Sequence, residues 1–361
     1  MIGLTHATAL VLEPLGALGT VPAAPLAAGE IADLLSTPSD LSGLLVEGLA
    51  KASLYVMIAS GLTLIFGLMD VINFAHGAFT MYGAYIAAGL MLALVTSSMG
   101  IGTVVLVFIA VLALVFVLLA AVGTVFEVTL IRKLYEYPPI YQILLTFGLT
   151  ITMEQFMRMI VEFRQINDGQ WNFDWATPRQ QTLPSGWADT SQIAIFEYTN
   201  LQLFEIALGV LTVVGIWAFL NRTRYGLFVR AGVEDEEMAK ALGINIQQTF
   251  TVVFAVGSGI AGAAGVMLMW DPLWGVSVPL ALEALLPAFV IVIVGGLGSF
   301  KGTVVASVIV GMIDALGTWA FQTGVIQFTD VDSLMIFTIL VVTLILRPRG
   351  LFGVEGQGDH G

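Results

Sequence analysis

NRTRYGLFVRAGVEDEEMAKALGIN, residues 221–245, is a long polar segment between two runs that are almost purely apolar. It must lie in water, because so many charged side chains cannot be buried in hydrocarbon. Four of the 13 Lys and Arg residues fall within it. Short cytoplasmic loops of membrane proteins are enriched in Lys and Arg, so this segment is predicted to lie inside the cell. The rest of the chain can be oriented from there.

The same segment predicts a short helix from Glu234 to Leu242. Acidic residues occupy its first turn, good helix formers follow, and Gly243 stands where a helix commonly ends. A compact helix on a cytoplasmic loop can serve as a binding surface for a partner protein.

The composition predicts an integral membrane protein. Of 361 residues, 58% are apolar and only 11% are charged, and the mean hydropathy is +0.94. A soluble domain of this size could not bury so much apolar surface. The apolar runs are long and not alternating, which favours helices of about 20 residues crossing roughly 30 Å of hydrocarbon. With no cysteine, disulfides and thiolate metal sites are excluded.

The charge balance indicates which partners and which environment the protein favours. The net charge is −13, which disfavours binding to nucleic acid or to anionic lipid headgroups. An acidic, lysine-poor balance suits a high-salt environment, because excess carboxylates keep a protein hydrated. We therefore advance a halophilic source as a hypothesis.

Nine apolar runs are candidate membrane spans, although eight spans remain possible because the seventh and eighth runs could form a half-crossing hairpin. Threading the runs from the cytoplasmic segment places the N-terminus outside and nine of the 13 Lys and Arg residues inside. The sequence thus predicts an all-α polytopic bundle of 8–9 transmembrane helices. The runs are about 45–68, 74–96, 101–131, 139–162, 201–220, 247–270, 283–298, 303–321 and 333–346.

The predicted organisation is an acidic N-terminal extension at 1–44, a transmembrane domain at 45–353 and a tail at 354–361. Within the domain, 162–200 is the large outer loop and 221–246 is the cytoplasmic loop. The aromatic residues of the outer loop, among them Trp171, Trp175 and Trp187, favour a position at the lipid headgroups. A docking platform for an extracellular partner is the alternative.

Two glycine-rich stretches look like nucleotide-binding loops but lack the required context. Residues 257–262 lie inside an apolar run, and residues 295–302 lack the Gly-Lys-Ser/Thr order that holds a nucleotide and its metal. Small residues four apart instead indicate close helix packing. The candidate packing residues are Gly257, Ser258, Gly262, Gly265, Gly295, Gly296 and Gly298.

The stretch 61–83 concentrates polar residues between two apolar runs. Glycines at 67, 77 and 83 are expected to free the backbone from regular helix, and broken helices at membrane depth often line a translocation route. For His76, a hydrogen-bonded turn histidine is at least as good a reading as substrate contact. The candidate substrate-path residues are Asn73, His76, Thr80 and Tyr82.

Three acidic residues, Glu127, Glu154 and Asp314, lie in or near the runs, where a charge is costly unless it is hydrated, paired or neutralised. They could form a proton relay, or Asp314 could bond hydroxyls such as Ser307 and Thr318 on its own helix. No paired nucleophile and base and no metal-ligand cluster appears in the sequence, so no enzyme and no metal site are predicted.

Four ordered motifs together carry a family resemblance: the stretch 61–83, Tyr225-Gly-x4-Ala-Gly-x-Glu-Asp-x3-Ala-x3-Gly-Ile-Asn245, Gly295-Gly-Leu-Gly-Ser-x2-Gly302 and Arg347-Pro-x-Gly-Leu-Phe-Gly353. Over about 45–353 the chain resembles the inner-membrane permease subunits of branched-chain amino acid ABC transporters. The resemblance implies a multi-pass protein of the prokaryotic cell membrane that forms a substrate path with a second permease subunit.

The resemblance further implies two cytoplasmic ATPase subunits, which bind ATP and Mg, and an extracytoplasmic substrate-binding protein; this chain itself is expected to hold no cofactor. It implies a coupling segment from Arg230 to Gly243, with Ala239 and Gly243 small enough for an ATPase surface to close on the helix. Urea, short amides or other amino acids are alternative substrates, and an ion-coupled secondary carrier is the alternative of another class. The expected coupling residues are Arg230, Glu234, Asp235, Ala239 and Gly243.

Overall fold

The structure, a computed structural model, describes residues 36–96, 99–168, 186–193, 196–271, 274–326 and 331–353 together with positions 29, 34 and 183. Most of the predicted N-terminal extension, the part of the outer loop that contains Trp171 and Trp175, and the tail 354–361 lie outside the described residues.

The described chain is an all-α membrane bundle with one short β-hairpin. A 3-10 helix, Ile131–Leu134, follows α3, and strands β1 (Thr190–Ile193) and β2 (Phe196–Thr199) pair antiparallel. The α-helices are α1 (Pro38–Met69), α2 (His76–Leu94), α3 (Ile101–Thr129), α4 (Pro139–Asp168), α5 (Asn200–Arg222), α6 (Arg224–Glu234), α7 (Glu236–Ala241), α8 (Ile246–Leu268), α9 (Leu280–Gly295), α10 (Phe300–Gln322) and α11 (Val331–Leu346).

Every one of the nine apolar runs forms a helix. Among the described residues, 7 helices are long and apolar enough to cross a membrane. The other two, α9 and α11, have 16 residues each, which span only about 24 Å at 1.5 Å per residue. The pair of runs that the sequence left open is thereby resolved into the short helix α9 and the full-length helix α10.

A break separates α1 from α2, as the sequence predicts, but its cause differs. The chain leaves α1 at Asp70, which has a left-handed backbone (φ 51°) and closes the helix with its amide on the Phe66 carbonyl. Gly67, Gly77 and Gly83, which were expected to free the backbone, lie within helices. Their missing side chains serve contact instead, because a Cβ on each would overlap a neighbouring backbone.

Helix α1 lies at the centre of the bundle and packs against α5, α8, α9 and α10. It comes close to α8 at Gly61, where a Cβ would stand 2.6 Å from the Gly257 carbonyl oxygen. Gly262 of α8 likewise faces Gly83 of α2, and a Cβ on Gly83 would overlap the Gly262 carbonyl. Absent side chains thus let the three helices approach to backbone contact.

Strand β2 of the outer hairpin packs against α1, and an aromatic residue just before β1 adds to the contact with the bundle. Trp187 precedes β1 and is buried, with its ring 5.0 Å from that of Trp270 and 4.7 Å from that of Phe204. The sequence favoured lipid headgroups for this side chain, and that prediction is wrong for Trp187. The hairpin was not predicted, because its short strands carry no marked alternation.

Candidate functional site

Helix α2 begins halfway through the bundle. The Nε2 atom of His76, its first residue, lies 2.8 Å from the Ile58 carbonyl oxygen of α1. The His76 ring also lies beside Gly61 and Gly257, and Gly257 is at the middle of the 23-residue helix α8. The segment 70–75 therefore returns from the end of α1 to the middle of the bundle before α2 starts.

Asn73 shapes that start. Its Oδ1 accepts a hydrogen bond from the Ala75 amide at 3.1 Å, and its carbonyl accepts one from the His76 amide at 3.3 Å. These bonds fix the turn into α2. The Nδ2 atom of Asn73 and the Nδ1 atom of His76 are buried with no hydrogen-bond partner among the described residues. His76 is thus a bonded turn histidine at one ring nitrogen and unpaired at the other.

The structure brings three of the four predicted path residues together. Thr80 is buried and lies one turn after His76, whose carbonyl its hydroxyl approaches at 3.5 Å. Tyr82 points elsewhere, and its hydroxyl donates to the Met153 carbonyl of α4 at 3.1 Å. Asn73, His76 and Thr80 form one buried polar face, to which Tyr82 does not belong.

The start of α9 meets the start of α2. A Cβ on Gly77 would overlap the Ala281 carbonyl oxygen and lie 2.9 Å from the Leu285 Cβ. Ser277, four residues before Ala281, is fully buried, and its hydroxyl has no partner among the described residues. Ser277 was not predicted as a site residue. Its neighbours in the sequence give no sign that the start of α9 packs against the start of α2.

Asp314 belongs to an ion-paired cluster rather than to a chain of acids. Its Oδ1 lies 2.8 Å from Lys51 Nζ and its Oδ2 accepts from the Tyr55 hydroxyl at 2.5 Å. Thr318 on the same helix lies 3.5 Å from Asp314, as the sequence allowed. A small cavity beside Lys51 and Asp314 is also lined by Asp271 and Trp274. The pairing of Lys51 with Asp314 was not predicted from the sequence.

Glu127 is also paired. Its carboxylate binds Arg132 at 2.8 Å and accepts from the hydroxyls of Tyr135 and Thr251 at 2.7 and 2.8 Å. Glu154 keeps one buried carboxylate oxygen without a partner among the described residues. In the part of the chain that the structure describes, no three His, Asp or Glu residues are grouped to hold a metal ion.

The cytoplasmic segment is two helices rather than one. Helix α6 runs through Glu234, and Asp235 turns the chain, its Oδ1 accepting from the Met238 amide at 2.8 Å to cap α7. The predicted helix from Glu234 to Leu242 corresponds to α7, which begins two residues later because Glu234 ends α6. Helix α6 itself was not predicted. The end of α7 is as expected, because Gly243 has a left-handed backbone (φ 84°) and follows its last turn.

The exposed face of this segment differs from the one expected. Arg230 is exposed and donates to Asn221 at 2.8 Å, and Glu234, Asp235 and Gly243 are exposed as well. Ala239 is only 2% exposed, so its small side chain faces the bundle and cannot meet a partner. Met238 and Leu242, which are 56% and 75% exposed, form the apolar face that the sequence analysis did not single out.

The other candidate packing residues make backbone contacts at the cytoplasmic end of the bundle or contacts of α8 with α2 and α3. A Cβ on Gly295 would lie 2.5 Å from the Gly302 carbonyl carbon, and Gly296 (φ 102°) and Gly298 (φ 77°) need left-handed backbone beside Gly353 and Gly67. Gly265 abuts the Thr80 carbonyl, and Ser258 fits against Gly123 of α3.

A family model described as branched-chain amino acid transport system / permease component matches residues 44–344. The high-affinity branched-chain amino acid transport system permease protein BraD of Pseudomonas aeruginosa is 28% identical over 313 residues, which cover 86% of this chain and 94% of that protein. LivH of Escherichia coli K12, described in the same words, is 28% identical over 309 residues, 85% and 94% of the two chains.

An archaeal relative, the probable branched-chain amino acid transport permease protein LivH of Methanocaldococcus jannaschii, is 25% identical over 327 residues, 86% of this chain and 93% of that protein. All three relatives are transport permeases and not enzymes. No solved structure matches the chain.

Proposed function

The chain belongs to the family of branched-chain amino acid transport permease components, and from that premise we propose that it is the transmembrane permease subunit of an ATP-binding cassette importer. It is a multi-pass membrane protein with 7 candidate spans among its described residues. In this proposal it forms the path for branched-chain amino acids and couples that path to partner ATPases. A second permease, two ATPases that hold ATP and Mg, and an extracytoplasmic binding protein complete the transporter.

The observation that carries the proposal is the folded cytoplasmic segment α6–α7. Its turn is fixed by the Asp235 cap and its end by Gly243, so it has a defined shape outside the membrane. Met238 and Leu242 are exposed on it beside Glu236 and Lys240, which pair at 2.7 Å. An apolar centre with a charged rim is the composition of a protein-binding surface, and an ATPase subunit is the partner that an importer requires there.

The polar face of Asn73, His76 and Thr80 supports a path through the bundle. These side chains are fully buried at half depth, and Asn73 and His76 each keep one nitrogen without a hydrogen-bond partner among the described residues. Polar groups at membrane depth are costly and are typically retained for function. Branched-chain amino acids are favoured as substrate because the relatives' names state that class; urea, short amides and other amino acids remain the alternatives.

An ion-coupled carrier is the second candidate function. Such a carrier needs an ionisable group at membrane depth that exchanges its proton or ion during transport. Glu154, with its unpaired oxygen, and Glu205, which is buried in α5, are acids in the described chain that fit this need. Glu127 and Asp314 are each held by a cation and by hydroxyls, which disfavours their exchange.

The test is substrate-stimulated ATP hydrolysis by the complete reconstituted transporter carrying Leu242→Asp. We expect stimulation to fall about tenfold or more, because a charge enters the apolar centre of the ATPase contact and buried interface residues often carry 2 kcal/mol or more. Gln247→Ala is the matched control, since Gln247 is exposed at the same end of the bundle but lies beyond α7. Equal stimulation in both variants, with both folded, would remove the coupling role.

A further inference from the structure

We propose that a cavity among α1, α3, α5 and α8 holds one hydrocarbon chain of a phospholipid from the cytoplasmic leaflet, and that arginines at the end of α5 hold the phosphate of that lipid. The proposal goes beyond the proposed function, because it concerns a lipid site and does not depend on which substrate is transported. It is carried by the composition of the cavity, its length along α5 and the charge at one end of that helix.

The cavity lies between two pairs of packed helices. Helix α5 packs along α1, and α3 packs along α8. Between these pairs is a space of about 330 Å³, which is lined by side chains such as Met57 of α1, Phe116 of α3 and Ile260 of α8. On the α5 side the lining includes Leu211 and Gly215, and both residues are exposed. The cavity therefore opens sideways, toward the hydrocarbon that surrounds the spans.

The lining of the cavity offers almost nothing to a polar occupant. Among the described lining residues only Thr212 has a polar side chain, and its hydroxyl donates to the Leu208 carbonyl of its own helix at 2.9 Å. A stable buried water needs about 2–4 polar partners, and apolar cavities instead stay dry or bind apolar guests. A hydrocarbon chain is the apolar guest that a membrane supplies.

The cavity is about as long as one leaflet is deep. Its lining residues on α5 extend from Leu208 to Phe219, which is about 16 Å along the helix at 1.5 Å per residue. Roughly 30 Å of hydrocarbon gives each leaflet about 15 Å. Because α5 ends at Arg222 and leads into the segment predicted to be cytoplasmic, the leaflet in question is the cytoplasmic one.

The end of α5 also marks the level of the lipid headgroups. Arg222 follows Phe219 by about one helical turn, and its guanidinium lies 5.7 Å from the ring centroid of Trp217. Trp217 is exposed, and exposed Trp residues are enriched where the membrane meets water. A hydrocarbon chain in the cavity therefore continues into a headgroup at the level of Arg222.

The charge at this level suits a phosphate. Arg222 and Arg224 are exposed, and neither forms an ion pair in the part of the chain that the structure describes. The sequence between Glu205 and Glu234 contains no acidic residue. The net charge of −13 disfavours anionic headgroups for the protein as a whole. The end of α5 is nevertheless locally positive, and an arginine at the membrane surface attracts an anionic group within about 8 Å.

The first test is photo-crosslinking of the full chain, reconstituted in vesicles, by a phosphatidylglycerol that carries a diazirine near the end of one acyl chain. We expect peptide mass spectrometry to find the label on cavity residues such as Phe116 and Ile260. Gly215→Leu is expected to lower this labelling about tenfold, because the new side chain occupies space that the lipid chain needs. A Cβ at Gly215 meets nothing within 4 Å, so the variant should fold normally.

Two further variants make the first test specific. Ala263→Leu narrows the cavity from the α8 side and is expected to lower the labelling as Gly215→Leu does. Gly148→Leu is the matched control, because Gly148 is an exposed glycine of helix α4 with equally open space at its Cβ position but does not line the cavity.

The second test concerns the phosphate and compares the same reagent with a diacylglycerol that carries the same diazirine chain. We expect the diacylglycerol to label the cavity at least about fivefold less, and Arg222→Gln and Arg224→Gln each to lower labelling by phosphatidylglycerol about fivefold. Lys301→Gln is the matched control, since Lys301 is exposed at the cytoplasmic end of α10, which does not line the cavity.

The outcomes decide between a lipid and other occupants. Cavity labelling that falls in Gly215→Leu and Ala263→Leu but not in Gly148→Leu supports the lipid site, whereas equal labelling in all three overturns it. Labelling that disappears when the second permease binds would give the cavity to a protein helix and would also overturn the proposal. Equal labelling by the diacylglycerol would remove the role of the arginines. None of these results depends on uptake, so the importer proposal is tested separately.

Discussion

Lys51 of α1 and Asp314 of α10 form an ion pair in the half of the bundle predicted to face outward, with Nζ 2.8 Å from Oδ1. The two side chains are 13% and 5% exposed. The Tyr55 and Thr318 hydroxyls and the Glu47 carboxylate, 3.7 Å from Lys51 Nζ, also belong to the cluster. The pair joins the central helix α1 to α10 at a position where both side chains are largely shielded from solvent, so its loss is expected to destabilise the fold.

Lys51→Met is expected to destabilise the protein by about 3–5 kcal/mol, because it leaves the Asp314 carboxylate buried without its cation. Unfolding in denaturant, followed in detergent, measures the change. Lys240→Met is the control: Lys240 pairs with Glu236 at a similar 2.7 Å, but both side chains are exposed and such pairs contribute about 0–1 kcal/mol. Equal losses in the two variants would contradict this account of the pair.

Gly83→Leu is expected to prevent close packing of α2 on α8, since even a Cβ at Gly83 would overlap the Gly262 carbonyl. We expect a loss of about 3 kcal/mol or more, because backbone cannot yield as a side chain can. Gly89→Leu is the control. Gly89 is on the same helix, but a Cβ there would have nothing within 4 Å, so this variant shows the effect of replacing a helical glycine without a packing clash. Thermal unfolding of both variants decides, and a stable Gly83→Leu protein would refute the contact.

Glu127→Gln tests the proton relay that the sequence left open. Because Glu127 is held by Arg132, Tyr135 and Thr251, we expect it to be structural. The variant should lose stability, by about 2–4 kcal/mol, but keep uptake driven by ATP and insensitive to a proton gradient. Uptake that depends on the gradient in the unmodified protein and loses that dependence in Glu127→Gln would restore the relay.

The orientation of the chain can be tested with single cysteines, because the natural sequence has none. Ala188 and Lys240 are both exposed, and they lie on opposite sides in the predicted topology. A membrane-impermeant thiol reagent applied to intact cells should label Ala188→Cys and spare Lys240→Cys until the cells are opened. The reverse pattern would invert the topology and place α6–α7 outside.

Much of the fold follows from the sequence, because it rests on long apolar runs. Each of the nine runs forms a helix, and the break after α1 lies in the polar stretch that predicted it. The membership in the permease family is also confirmed. These features are local. The length of an apolar run predicts the length of its helix, and polar residues within or between runs predict where a helix is interrupted.

What the sequence does not predict are contacts between distant segments. Lys51 and Asp314 are 263 residues apart, and the sequence around either residue does not indicate that they pair. Ser277 matters only because α9 begins against Gly77. Ala239 was expected to face the ATPase subunit. After the turn at Asp235, however, Ala239 faces the bundle, and Met238 and Leu242 are exposed instead. The halophilic source stays a prediction.

The most direct test of the importer account is leucine uptake into liposomes that contain this chain, a second permease and the two ATPases, with binding protein outside. The account predicts uptake against a gradient only when ATP is present and only when this chain is included. Omitting the chain, and supplying an ion gradient in place of ATP, are the controls. Uptake by the chain alone down an ion gradient would contradict the account and make Glu154 the first residue to examine.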